Sequence, residues 1–185
     1  MSSVFSRESL LKVLRAYRSS SPDRVPVWQR LISFVESDPR CALRENAFGH
    51  LTGSAWVVNK TRTKALLLHH RKLNRWMQTG GHADGEFDLL SVALREAREE
   101  SGLTRIEPVS DAIFDVDIHE IPPFKDLPAH YHFDVRFLLE ADESEPLIQN
   151  EESNGVAWVA LTDITSYTEE ESVVRMAQLS VRYSA

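Results

Sequence analysis

The sequence is poor in cysteine. Cys41 stands alone among 185 residues, which excludes an internal disulfide and any zinc cluster built from thiolates. Long apolar runs are absent too. Stretches such as "AWVV" and "ALLL" fall far short of the roughly 18–20 residues that a helix needs to cross a bilayer. No secretory leader is expected, because Arg7, Glu8, Lys12 and Arg15 interrupt the N-terminus where an apolar region would lie. Basic residues are outnumbered: 21 Lys and Arg face 28 Asp and Glu, for a net charge of −7. The broad positive field that non-specific nucleic-acid binding needs is therefore missing. There is no internal repeat and no low-complexity tract. What remains is ordinary globular material, 42% hydrophobic and 26% charged. The length suits one core with a terminal extension, in a reducing, cytoplasmic setting.

The N-terminal third reads as helical. Phe5, Leu10, Leu11, Val13, Leu14 and Tyr17 recur at helical spacing over residues 5–18. "SSSPD" breaks that helix, and a second amphipathic one covers 26–37, ending near Asp38-Pro39 because the residue before proline avoids the helical region. From about residue 50 the period becomes strand-like. "SAWVVN" at 54–59 and "KALLLHH" at 64–70 are short β-rich runs. "GGHADGE" at 80–86 reads as a loop. Residues 89–101 form the clearest helix, with Asp88 as N-cap and Gly102 at the C-terminal glycine position. Two alternating strands follow, "AIFDVDIHEI" and "HYHFDVRFLLEA", then "GVAWVAL" at 155–161 and a last helix over about 169–181. The expected organisation is a helical extension over 1–45 and a sheet-and-helix domain over 46–185.

The most informative string is "REAREESGL" at 95–103. On a helix, Glu96, Glu99 and Glu100 fall within one arc of about 100°. Like charges that close repel one another, and the helix dipole disfavours negative charge in a last turn. A hard divalent cation resolves the conflict, because Mg²⁺ takes oxygen ligands and commonly uses few carboxylates. A solvated acidic face is the other reading of these residues. The preceding Gly80-Gly81 lets backbone approach a ligand closely and offers carbonyl oxygens beside the helix.

The spacing from glycine to loop to helix resembles the Nudix box: Gly, five residues, Glu, seven residues, Arg-Glu, an aliphatic residue, any residue, Glu-Glu, any residue, Gly, an aliphatic residue. With Gly81 as the first glycine, Arg95, Glu96, Glu99, Glu100, Gly102 and Leu103 fall on their positions, and Ala97 takes the aliphatic one. Two positions depart. Phe87 stands where the first glutamate is expected, flanked by Glu86 and Asp88, and Thr79 replaces the usual proline. Asp88 is a candidate substitute partner for Arg95.

The chain is thus identified as similar to the Nudix hydrolase superfamily (MutT-like) over about residues 50–165. The resemblance implies an α/β/α sandwich with a mixed sheet. It also implies hydrolysis of a pyrophosphate bond, in a nucleoside diphosphate linked to another moiety, by metal-activated water with Mg²⁺ or Mn²⁺. Glu96, Glu99 and Glu100 would be metal ligands together with a carbonyl of Gly80 or Gly81, and Arg95 would orient the carboxylates. The general base in such proteins moves between a box glutamate, here Glu99 or Glu96, and a later loop, where Glu151 and Glu152 stand. A homodimer is a family-level expectation.

Other polar residues form patterns. Asp115, Asp117 and His119 share one strand face, and His130, His132, Asp134 and Arg136 share one face of the next, with Phe114, Val116 and Ile118 opposite the first row. The rows read as a substrate-cleft wall, as an extra His/Asp metal site, or as a solvent-facing, salt-bridged surface. His82, His130, His132, Arg71 and Trp76 are the candidate substrate contacts. Trp56 and Trp158 read as core. Two further readings stand beside hydrolysis. A non-catalytic ligand-sensing or partner-binding module would be expected to lose the metal glutamates. An isoprenoid diphosphate isomerase would need a cysteine in its catalytic domain, and Cys41 lies upstream of the sheet.

Overall fold

The computed structural model describes residues 5–17, 22–123, 127–151 and 153–183. Helix α1 (Arg7–Ala16) is capped by Ser6, whose side chain accepts from the Ser9 amide while Ser9 returns a bond to the Ser6 amide. Helix α2 (Val25–Ser37) carries Pro26 in its first turn, where the missing N–H costs no hydrogen bond. It ends at Asp38, which is extended ahead of Pro39. The two helices are joined by the Trp28 indole, which donates to the Leu14 carbonyl at 2.7 Å.

Among the described residues seven strands follow: β1 (Gly49–Asn59), β2 (Lys64–His70), β3 (Arg75–Met77), β4 (Thr79–His82), β5 (Ile106–Ile121), β6 (His130–Ala141) and β7 (Ser153–Ala160). Helix α3 (Leu89–Ser101) separates β4 from β5, and α4 (Ile164–Tyr167) and α5 (Glu171–Ser180) close the chain. The strand order is β3–β2–β1–β6–β5, with β4 also on β1 and β7 also on β2. β1 runs parallel to β6 over its whole length, and every other pairing is antiparallel.

Alternation sends the two faces of the sheet into two cores. On one face Leu51, Ala55, Val57, Phe133, Val135 and Phe137 pack under α1, α2 and α3, and Phe34 of α2 stacks on Phe133 at 3.8 Å between centroids. On the other, Trp56, Val58, Leu67 and Leu138 meet Val173, Met176 and Ala177 of α5. This is the expected α/β/α sandwich with a mixed sheet. No helix among the described residues is long and apolar enough to cross a membrane.

Three local expectations are corrected. Residues 80–82, the start of the expected loop over 80–86, belong to strand β4, because Gly80 and Gly81 pair with Ser54 and Gly53 of β1. β1 begins at Gly49 rather than 54, since its polar first half is held by β6. A register shift between Ile113 and Asp115 turns Phe114 into the α5-side core, away from Val116 on the other face.

Candidate functional site

The helix that carries the glutamates is fixed at both ends by its own sequence. Asp88 caps α3 by accepting from the Ser91 amide at 3.2 Å and the Ser91 hydroxyl at 2.9 Å. Gly102 closes it at φ 73°, a left-handed position that suits glycine. Leu89, Val92, Ala93 and Ala97 pin α3 to the sheet, and the helix comes so near β1 that a Cβ on Gly53 would lie 2.6 Å from the Leu89 carbonyl oxygen.

This seating presses two carboxylates onto β4. Glu100, buried, accepts from the Gly80 amide at 2.9 Å. The Glu96 carboxylate sits over Gly81, where a Cβ would come within 2.4 Å of its carboxyl carbon. The second glycine is therefore needed for space rather than for an unusual φ. Glu99, one turn away, is exposed. Arg95 donates to Glu86 at 3.0 Å and to Glu96 at 3.3 Å. The partner of Arg95 is thus Glu86 and not Asp88, whose side chain is used in the cap. Phe87, at the glutamate position of the box, packs against the helix-side core instead. Thr79, at the proline position, donates its hydroxyl to the Ala55 carbonyl at 3.3 Å. The loop between β4 and α3 is further held by Arg44, which engages both oxygens of Asp84, its Nε at 2.6 Å. That hydrogen bond holds the Asp84 carboxyl below its ordinary range. The donor set on this side is oxygen only, the chemistry of a hard cation such as Mg²⁺.

The polar rows of β5 and β6 are not solvent-facing. Asp115, Asp134 and Arg136 are at most 2% exposed and Asp117 is 9% exposed, because α5 lies across them. Arg136 donates to Asp134 at 2.7 Å, Asp115 at 3.1 Å and Asp117 at 3.4 Å. Arg175 of α5 reaches Asp115 at 2.8 Å and Asp117 at 3.1 Å, and Arg24, just ahead of α2, reaches Asp117 at 2.5 Å. Asp134 also accepts from Thr52 and Ser54 of β1. Burial alone would raise the Asp117 carboxyl, but the His119 hydrogen bond and the guanidiniums of Arg136, Arg175 and Arg24 outweigh it and hold it far below the usual carboxylate range.

The same face continues into histidines. β1 and β6 place His50 beside His132, β4 sets His82 across from Thr52, and β5 sets His119 across from His132. Ring centroids lie 4.9 Å apart for His50–His132 and for His50–His82, 5.1 Å for His50–His130 and 5.4 Å for His119–His132. Five of the chain's seven histidines thus meet at the end of the sheet where β1 and β4 begin and end. Burial, reinforced by neighbouring histidines, pushes His132 down to about 2 and His50 down to about 4, so both rings are neutral at pH 7.

The remaining expected residues lie elsewhere. Arg71 is exposed and donates to Asn154 at 3.3 Å and to the Ser153 carbonyl at 3.4 Å, on β7. Trp76 of β3 stacks on His69 and meets Tyr167 of α4 edge-on. Trp56 is fully buried and Trp158 partly so, both in core. Glu151 is exposed, and Glu152 lies outside the described residues. Cys41 is fully buried, and burial pushes its thiol up to about 11. Sequence reasoning missed His50, Arg44, Arg24 and Arg175. His50 had a signal: with Thr52 and Ser54 it makes a period of two leading into Trp56.

A model of the NUDIX domain matches residues 50–179, from the start of β1 to the end of α5. The m7GpppN-mRNA hydrolase NUDT17 of Xenopus laevis is 31% identical over 104 residues, covering 52% of this chain and 35% of the relative. The match therefore spans about a third of the length of that relative. Among solved structures, an Ap4A hydrolase of C. elegans in a binary complex is 15% identical with a TM-score of 0.56, covering 72% of this chain and 96% of that one. A MutT protein of Methanosarcina mazei Go1 is 17% identical with a TM-score of 0.56, covering 74% and 95%. The NUDIX domain of Shewanella oneidensis NrtR, complexed with ADP ribose, is 17% identical with a TM-score of 0.53, covering 83% and 97%. The matched span contains the double glycine, the helix that presses Glu96 and Glu100 against it, and the mixed sheet on which both rest, and the chain belongs to the Nudix family.

Proposed function

We propose that this protein hydrolyses a pyrophosphate bond in a nucleoside diphosphate linked to a second moiety. The observation that carries the reading is the packing of two glutamates of α3 onto the double glycine of β4. A stability-driven helix would not crowd carboxylates into its last turn. Glu96, Glu99 and Glu100, with a carbonyl of Gly81, would hold Mg²⁺ or Mn²⁺. Such an ion, when bound, would neutralise the pyrophosphate and make water a better nucleophile. Arg95 holds Glu96 in place and is itself held by Glu86. The proton from the attacking water goes to Glu99 or Glu96, or to Glu152 on the later loop. His82, next in the chain to Gly81, faces the substrate.

Two relatives lend support by what they are named for, one a hydrolase of capped mRNA and one of Ap4A; both names describe pyrophosphate-linked nucleotides. The buried, neutral Cys41 supports hydrolysis over the isomerase reading, because it sits in the helix-side core and not at the glutamates.

The test is a panel of nucleoside diphosphate derivatives, dinucleoside polyphosphates and nucleoside triphosphates assayed for product release with Mg²⁺ or Mn²⁺. Turnover of one class, lowered at least ~100-fold in Glu100→Gln, is expected. Absence of turnover across the panel, with no Mg²⁺ or Mn²⁺ bound in calorimetry, would overturn the hydrolase and favour a ligand-sensing module.

A further inference from the structure

We infer that His50, His130 and His132 form a second metal site, distinct from the box glutamates, for a borderline transition-metal ion of the Zn²⁺ class. Among the described residues, these three offer one ring nitrogen each, all within 4.8 Å of one another. Nitrogens around a tetrahedral Zn²⁺ stand about 3.3 Å apart at the usual Zn–N distance of about 2.0–2.1 Å, so small side-chain rotations suffice to close the site.

The second observation is an unexplained buried polar group. His50 is 3% exposed, and neither of its ring nitrogens has a hydrogen-bond partner among the described residues. The Nε2 atom of His132 is likewise buried and unpartnered. Buried polar atoms are nearly always satisfied, and an orphan of this kind points to an ion or ligand. Ring stacking against other histidines does not satisfy a nitrogen lone pair.

The third ring is oriented for ligation. The Nδ1 of His130 lies 2.9 Å from the Pro128 carbonyl oxygen. A carbonyl only accepts, so Nδ1 carries a proton, and in the neutral ring the lone pair is on Nε2. A backbone carbonyl on the far nitrogen is the usual way in which a metal-binding imidazole has its tautomer set.

The chemistry separates this site from the carboxylates. Imidazoles suit Zn²⁺, Cu²⁺ and Ni²⁺, whereas Mg²⁺ prefers the oxygens of α3. His82, 4.9 Å from His50 and 5.1 Å from His132 between centroids, is placed to supply a fourth ligand or to face a water in that position. His130 and His132, expected from sequence to touch substrate directly, then do so through the ion.

The experiment uses the full chain, treated with EDTA and desalted, with Zn²⁺ alone as probe against a chromophoric chelator in excess Mg²⁺. One Zn²⁺ per chain is expected, unchanged in Glu100→Gln and weakened at least ~100-fold in His50→Gln and His132→Gln. His130→Gln, at a less buried position, gives the same loss with its circular dichroism unchanged, so a folding defect at His50 does not blur the answer. Co²⁺ added to the wild-type chain provides a readout with no variant at all. The intense visible absorption of a tetrahedral, nitrogen-rich site is expected. A weak octahedral spectrum, Zn²⁺ affinity unchanged from wild type in the histidine variants, or Zn²⁺ lost only in Glu100→Gln would each overturn the site. None of these readouts requires turnover, so they stand or fall separately from the hydrolase reading.

Discussion

Replacing Arg136 by Met removes the cation on which three buried aspartates converge. Arg136 is 1% exposed, and its donors reach Asp134, Asp115 and Asp117 at 2.7, 3.1 and 3.4 Å. The cluster is balanced, because Arg136, Arg175 and Arg24 offset the three carboxylates. Arg136→Met leaves one negative charge uncompensated in a region sealed by α5. Breaking a buried ion pair from one side costs about 3–5 kcal/mol. For a chain of 185 residues that corresponds to a fall in Tm of roughly 6–20 °C. The assay is equilibrium urea unfolding at pH 7 and pH 5.

The pH dependence separates charge from lost packing. In the wild type the Asp117 carboxyl is held below its unfolded value, so its contribution is fully present above an unfolded pKa of about 3.9 and is lost only as pH falls further. Between pH 7 and 5 that group leaves wild-type stability unchanged. In the variant the surplus negative charge draws a proton onto the folded cluster more readily than onto the unfolded chain, so its deficit shrinks over the same interval. Arg136→Met/Asp134→Asn, which restores the balance, recovers part of the loss. A deficit under ~1 kcal/mol at pH 7, or one that does not narrow at pH 5, refutes the reasoning.

Gly53→Ala places a methyl 2.6 Å from the Leu89 carbonyl and 3.0 Å from the Val92 Cβ, and is expected to cost about 1–3 kcal/mol in urea unfolding by lifting α3. Glu86→Gln leaves the thermal midpoint nearly unchanged, because the pair with Arg95 is exposed. It lowers kcat/KM about tenfold by freeing Glu96, a split that steady-state kinetics beside a melting curve detects. Cys41, fully buried with its thiol raised to about 11, reacts with an aromatic disulfide reagent at pH 8 only as fast as the chain opens. Its stabilising contribution is present below the unfolded pKa and declines as pH rises from about 9 towards 11, which unfolding at graded alkaline pH measures.

Helix α3 was legible to the residue, because Asp88 and Gly102 mark its ends by side-chain and backbone chemistry that operates locally. β2 was legible for a similar reason, being an uninterrupted apolar run with turn residues on both sides. The first half of β1 and all of β4 were not. "GHLT" and "TGGH" have little strand propensity of their own, and their conformation comes from partners far along the chain. The alternation of β5 and β6 gave the two faces correctly apart from Phe114. It could not say that α5 would cover the polar face, since the covering guanidinium of Arg175 lies some 60 residues beyond Asp115. At the site, the position of Glu96 and Glu100 followed from helical spacing. The partner of Arg95 did not: Glu86 and Asp88 both flank the box position held by Phe87, and only the use of Asp88 as a cap decides between them.

The parallel pairing of β1 with β6 has a consequence for the order of assembly. His50 and His132 stand side by side, yet the chain between β1 and β6 includes the box helix and β5. No shorter segment brings the two rings together. A ribosome-bound chain that has released β1 through α3 already holds every box glutamate and the β4 edge of β1, but lacks the strand that pairs with β1 along its whole length. The histidine end of the sheet comes into being only when β6 arrives, and non-local pairings of this kind close slowly. Truncation before Ala141 would therefore leave the glutamate helix written in the chain and the face beside it unbuilt.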